Sequence, residues 1–98
     1  HIVLFKLADK AEGKSIAENA LYIKGQLEAL KDKISVIKKM DIFINDKEAS
    51  DDNYDIILDS EFMNLEDLNT YINHPDQKLV GEYVSKVRVS RAAIDYSI

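Results

Sequence analysis

The stretch Tyr54-Asp-Ile-Ile-Leu-Asp-Ser-Glu-Phe62, followed by Asn64-Leu-Glu-Asp-Leu-Asn-Thr-Tyr-Ile-Asn-His-Pro75, decides the fold. In its first half Tyr54, Ile56, Leu58 and Phe62 alternate with Asp55, Asp59 and Glu61. A pleated backbone sends successive side chains to opposite faces, so this half reads as a half-buried strand with most of its acids on one side. After Phe62 the spacing changes to three and four. Leu65, Leu68 and Ile72 then form one stripe of a helix, Asn64 can cap its free amides, and Asp67 lies in the first turn, where the helix dipole favours negative charge. Pro75 ends it, because proline has no amide proton and disfavours helical backbone at His74. Tyr71, His74 and Gln77 are thereby gathered near one helix end.

Toward the N-terminus, the polar run Asn45–Asn53 reads as the loop of a hairpin that joins this strand to another over Ser35–Ile44. There Met40, Ile42 and Ile44 alternate with Lys39, Asp41 and Phe43. Before it, Ile16, Ala20, Ile23, Leu27, Leu30 and Ile34 step by four and three along a long helix. Ser15 and Glu18 have the spacing of a capping box at its start, and Gly25 within it offers room for close backbone packing. The region from Asp9 to Gly13 reads as a loop, and Ile2-Val-Leu-Phe5 with Leu7 as a strand covered on both faces. Toward the C-terminus, Pro75 suits the first turn of a new helix carrying Leu79, Val80, Tyr83, Val84 and Val87, and Val89–Tyr96 reads as the last strand.

The order is β-α-β-β-α-β with the second helix broken at Pro75. It predicts one α+β domain over residues 1–98, a ferredoxin-like four-stranded antiparallel sheet with the first strand central and the helices on one face. Leu7, Phe43, Ile57 and either Val3 or Leu4 would then face away from the helices. At roughly 25 cal/mol per Å² their exposure is costly, and a two-fold partner placing its own sheet there relieves it with one patch on each subunit. The expected assembly is a homodimer packed sheet to sheet.

Composition narrows the chemistry. There is no cysteine and there are only two histidines, so neither a thiolate nor a zinc site is expected, and no cofactor is. Residues 1–40 hold eight Lys/Arg and five Asp/Glu, residues 41–76 one and eleven, and residues 77–98 four and two, for a net charge of −5. The acidic middle repels phosphate backbones, which argues against nucleic acid. No apolar run approaches the roughly 20 residues that span a bilayer. A soluble cytoplasmic protein that meets no membrane is the expectation.

Four pieces in order resemble the stress-responsive α/β-barrel (Dabb) domain family, whose members are dimeric α+β barrels: the opening His1-Ile-Val-Leu-Phe-Lys6, the strand Tyr54-Asp-Ile-Ile-Leu58, the run Leu68 to His74-Pro75 containing Tyr71, and the closing Ile94-Asp-Tyr96. The resemblance covers nearly the whole chain. In members that are polyketide cyclases, a pattern like Tyr-x-x-His-Pro-x-His performs acid and base steps on a linear poly-keto substrate. By that resemblance Tyr71 and His74 are the candidate catalytic residues, while Gln77 stands where the second histidine would be and cannot exchange a proton near neutral pH.

A binding role needs no base. An apolar cleft between helices and sheet would hold a small hydrophobic or aromatic molecule, with His1, Tyr71, His74, Gln77 and Asp95 as polar contacts. A monooxygenase-like role, as in related dimeric barrels, would have to use His74 as an axial ligand, since the chain has no tryptophan. Plainer roles are equally available. Tyr71 can fill the gap between helix and sheet, His74 can simply stop a helix, and Asp95 can pair with Arg91 or Arg88.

Overall fold

A computed structural model describes residues 1–98. The elements in chain order are strand β1 (Ile2–Leu7), the short strands β2 (Lys10–Ala11) and β3 (Lys14–Ser15), helix α1 (Ile16–Lys33), strands β4 (Lys39–Ile44) and β5 (Ile56–Glu61), helices α2 (Leu65–Asn73) and α3 (Pro75–Val87), and strand β6 (Arg88–Ile94). The main sheet has the order β4-β5-β1-β6 and is antiparallel throughout. This is the ferredoxin-like plan with β1 inside the sheet and the helices on one face. The Asp9–Gly13 region is no plain loop. It forms the β2–β3 hairpin, whose turn residues Glu12 and Gly13 both take positive φ, 52° and 73°, the backbone a two-residue hairpin needs to match strand twist.

Local signals explain most element ends. Ser15 Oγ accepts from the Glu18 amide at 3.2 Å, and Glu18 Oε1 accepts from the Ser15 amide at 3.1 Å, so the capping box opens α1. Asn64 Oδ1 accepts from the Asp67 amide at 2.8 Å and opens α2. The α1 stripe buries Ala20, Ile23, Leu27 and Leu30, and Ile34 caps the helix from inside the core. Asn19 is buried with them: its amide donates to the Ala11 carbonyl at 3.1 Å and its carbonyl accepts from the Tyr83 hydroxyl, which ties the hairpin and α3 to α1.

Some expected faces change. In β1 it is Val3, Phe5 and Leu7 that face the helices and are buried, so Leu7 does not point away from them and Leu4, not Val3, does. Period two forces this, because the three share one face and the helix layer needs the larger set. On α2 the buried residues are Leu68 and Tyr71, whereas Leu65 and Ile72 are exposed; rotation of the short helix about its axis hands the inward place to the aromatic ring. On α3, Leu79 is exposed and Tyr83 only half-buried, leaving Val80, Val84 and Val87 as the packed stripe. Gly25 has open space around its α-carbon, so it mediates no close packing.

The open face of the sheet carries an apolar row. Phe43 pairs with Ile57, Ile57 with Leu4, and Leu4 with Ala92, one residue from each strand. Phe43 is 59% exposed at the edge of this row. Below it Asp41 lies opposite Asp59, and Lys39 Nζ sits 3.6 and 3.5 Å from their carboxylates. On the opposite face the helices cover β4, β5 and β1 but not β6, so the helix-side residues Arg91 and Ala93 remain exposed. That missing cover makes a cleft.

Candidate functional site

His1 extends the ladder beyond β1. Its backbone nitrogen donates to the Ser60 carbonyl at 3.0 Å, and its carbonyl accepts from the Ser60 amide at 3.0 Å and from Ser60 Oγ at 2.9 Å. With Val3 and Phe5 it shares the helix side of the sheet, so its ring enters the cleft. Ile2 pairs with Ile94, which brings Asp95 beside His1, and Asp95 Oδ1 lies 2.5 Å from His1 Nδ1. Asp95 is thus bonded to a histidine, not to Arg91 or Arg88. A carboxylate at Nδ1 holds the proton on that nitrogen and orients the ring.

Tyr71 comes from the second turn of α2 and is 1% exposed. Its ring packs on Phe62 at 5.2 Å between centroids and meets His1 edge to face at 6.3 Å. Its hydroxyl is buried and makes no hydrogen bond. Burial disfavours the phenolate and pushes the Tyr71 pKa up to about 12. The Gln77 amide opposes this in part from nearby, though at no geometry that counts as a hydrogen bond with the hydroxyl.

These groups line a cavity of about 150 Å³ with His1, Tyr71 and Gln77 as polar walls. Its apolar walls are Val3, Phe5 and Leu58 of the sheet, Leu27 of α1, and Val80 and Val84 of α3. Arg88 and Arg91 also border it. A larger hollow of about 440 Å³ adjoins, with His1 shared between them, but one of its walls is the exposed segment Asp95–Ile98. The smaller cavity, an open cleft lined mostly by residues of the packed sheet and helices and bordered by Tyr71, is the better-built site.

His74 stands apart. It ends α2, and its Nδ1 accepts from the Asp76 amide at 3.1 Å to cap α3. Neither hollow includes it. The residue before the proline is turned by the helix junction, and an imidazole nitrogen that accepts a backbone hydrogen bond is not available as a base in the cleft. Of the five expected contacts, His1, Tyr71 and Gln77 meet at one cavity, Asp95 joins through His1, and His74 is elsewhere. No three His, Asp or Glu side chains converge to hold a metal ion, and no helix is long and apolar enough to cross a membrane.

The arginines were not singled out as site residues from sequence. Strand alternation alone puts Arg88 and Arg91 on opposite faces. A register shift, in which Leu7 pairs with Arg88 but Lys6 with Ser90, slips Val89 into the ladder as an extra residue and brings both to the helix side. Nothing in a single sequence marks that slip.

The fold agrees with what the chain is similar to. A protein of Bacteroides fragilis, described as dimeric, of unknown function and with a ferredoxin-like fold, is 36% identical and superposes with a TM-score of 0.86 over 99% of this chain and 92% of its own. A dimeric ferredoxin-like protein of unknown function from Thermobifida fusca, 20% identical, gives 0.77 over 99% and 87%. A Dabb-family protein of Mesorhizobium loti with a ferredoxin-like fold, 20% identical, gives 0.68 over 99% and 92%. No curated protein matches the chain. The family model for the stress responsive A/B barrel domain matches residues 1–98, from the His1 strand that walls the cleft to the Asp95 that holds it, and the chain therefore belongs to the Dabb family.

Proposed function

We propose that this chain works as a homodimer and binds a small apolar or aromatic molecule in the cleft between α1, α3 and the sheet. The observation that carries the reading is a cavity between helices and sheet that Tyr71 borders, with the Tyr71 hydroxyl buried without a partner. A buried unsatisfied hydroxyl costs about 1–3 kcal/mol, and a ligand with one polar group on an apolar body would remove that cost. At about 150 Å³ the space suits a single ring. The dimer is supported by the row Phe43-Ile57-Leu4-Ala92, which a second sheet would cover, and by the dimeric relatives. A cytoplasmic site of action belongs to the same reading and is checked by cell fractionation.

The test is titration of the labelled protein with benzene and phenol, followed through the backbone amides. Shifts at Tyr71, Gln77, Val80 and Val84, with phenol bound more tightly, are expected. Tyr71→Phe should abolish the preference for phenol, and Val84→Phe, which fills the space, should abolish binding. Unmoved amides with both ligands would overturn the reading for uncharged ligands.

One observation favours a second, enzymatic reading: the Asp95–His1 pair faces the cleft beside Tyr71. In cyclase-like chemistry His1 would be the base and Tyr71, which keeps its proton up to about pH 12, the acid. His74 would take no part in it. Turnover of a linear poly-keto thioester that survives His74→Ala and is lost in His1→Gln would move the assignment this way.

A further inference from the structure

The two arginines at the cleft have no protein partner. Lys39 lies within ion-pair distance of Asp41 and Asp59, and the His1 and His74 rings lie 2.5 and 3.9 Å from carboxylate oxygens of Asp95 and Asp76. With 18 acidic and 13 basic side chains, carboxylates are in excess, yet neither guanidinium meets one within ion-pair distance. Asp95 is the sole acid in residues 88–98 and is already bonded to His1.

Their placement has a structural cause. Residues three apart on a regular strand face opposite ways, but the extra residue Val89 opposite the Lys6/Leu7 step puts Arg88 across from Leu7 and Arg91 across from Phe5. Leu7 and Phe5 both face the helices, so both arginines do too, and both border the cavity. Such a bulge re-aims side chains at some loss of ladder pairing. The rest of the lining combines apolar Val3, Phe5, Leu27, Leu58, Val80 and Val84 with the polar groups of His1, Tyr71 and Gln77.

We infer that the cleft takes a small carboxylate with an apolar body: the acid group meets the guanidiniums of Arg88 and Arg91, and a ring or branched chain lies against Phe5, Val80 and Val84. Guanidinium presents paired N–H donors that match a carboxylate, which sets the charged end of the ligand, and the volume beyond limits the rest to about one ring. The inference deepens the binding reading above and rests on it.

Benzoate and its uncharged isostere benzamide separate the two claims. Calorimetric or amide-shift titration of the intact protein should give benzoate an affinity at least about tenfold above that of benzamide, the scale of one charge-assisted pair. Arg91→Gln and Arg88→Gln should each lower the ratio of benzoate to benzamide affinity toward one, with amide spectra showing a retained fold. Equal binding of benzoate and benzamide would overturn the carboxylate assignment and leave the cleft as a neutral ligand site. Binding of inorganic phosphate as tight as that of benzoate would overturn the part played by the apolar walls. Absence of binding by benzoate, benzamide, benzene and phenol alike would remove the binding reading itself, and this inference with it.

Discussion

The two faces of one sheet behave as different materials. On the helix side Val3, Phe5, Leu7, Met40, Ile42, Ile56 and Leu58 are each 8% exposed or less and are locked against α1 and α3. On the other side Leu4, Ile57 and Phe43 form an apolar row with no cover within the chain, and the Lys39, Asp41 and Asp59 charges lie on one side of it. The same strands supply both. What differs is both the neighbour and the composition: on β1, β4 and β5 the helix side is apolar but for Ser60, while the open side mixes its apolar row with Lys6, Lys39, Asp41, Asp59 and Glu61.

The largest expected effect tests that contrast directly. Leu7→Ala should cost about 3 kcal/mol in denaturant melts and Leu4→Ala less than about 1 kcal/mol in the monomer, because only the first leaves a cavity in a packed layer. Equal costs would erase the distinction between the faces.

A second effect sharpens it by pH. Tyr71 ionises near 10 in the unfolded chain and near 12 in the folded one, so its folded pKa is raised and, for an acid, folding disfavours the charged form. The unfolded chain therefore releases this proton first, and stability is lost as pH rises from about 10 to 12, by about 2–3 kcal/mol at most. Alkaline melts of the wild type and Tyr71→Phe should diverge over that window and run parallel below it. A constant offset at every pH would show that the hydroxyl is solvated in solution.

On the open face, Phe43→Lys should weaken self-association at least about tenfold in sedimentation equilibrium, since it sets a charge into an apolar contact, while leaving the melt of the dilute monomer nearly unchanged. Unaltered association would place the partner elsewhere. The smallest effect returns to the packed side. At neutral pH, Tyr71→Phe should stabilise the unliganded protein by about 1 kcal/mol in chemical melts, because it deletes an unsatisfied buried hydroxyl; destabilisation would mean that the hydroxyl already has a partner.

Much of this architecture could be read from single residues. Ser15 and Glu18 marked the start of α1, the stripe from Ile16 to Ile34 its buried face, Asn64 and Pro75 the limits of α2, and alternation the main strands. Each is a local rule, satisfied by neighbours within one turn or one pleat. What escaped was relational. The phase of β1, which put Leu7 inside, depends on where the helices settle, and the inward turn of Tyr71 in place of Ile72 depends on the angle at which α2 docks. At the site, Tyr71, Gln77 and His1 were nameable from their resemblance to a motif. The bond between Asp95 and His1, 94 residues apart, and the bulge that aims Arg88 arise only when β1 and β6 pair. His74 shows the reverse case, a residue whose motif suggested chemistry and whose side chain caps a helix.

The strand order β4-β5-β1-β6 bears on how the protein is made. Both strands that flank β1 come from the second half of the chain, so Ile2–Leu7 leaves the ribosome long before either partner exists. An apolar segment with two bare edges must wait through the synthesis of more than fifty residues for β5 and more than eighty for β6. Loop closure over such separations slows folding, and an unpaired strand invites pairing with the wrong chain. Nascent α1, which begins soon after β1, offers an early apolar shelter. The capping box at Ser15 and Glu18 thus bears on the yield of folded protein as well as on its stability.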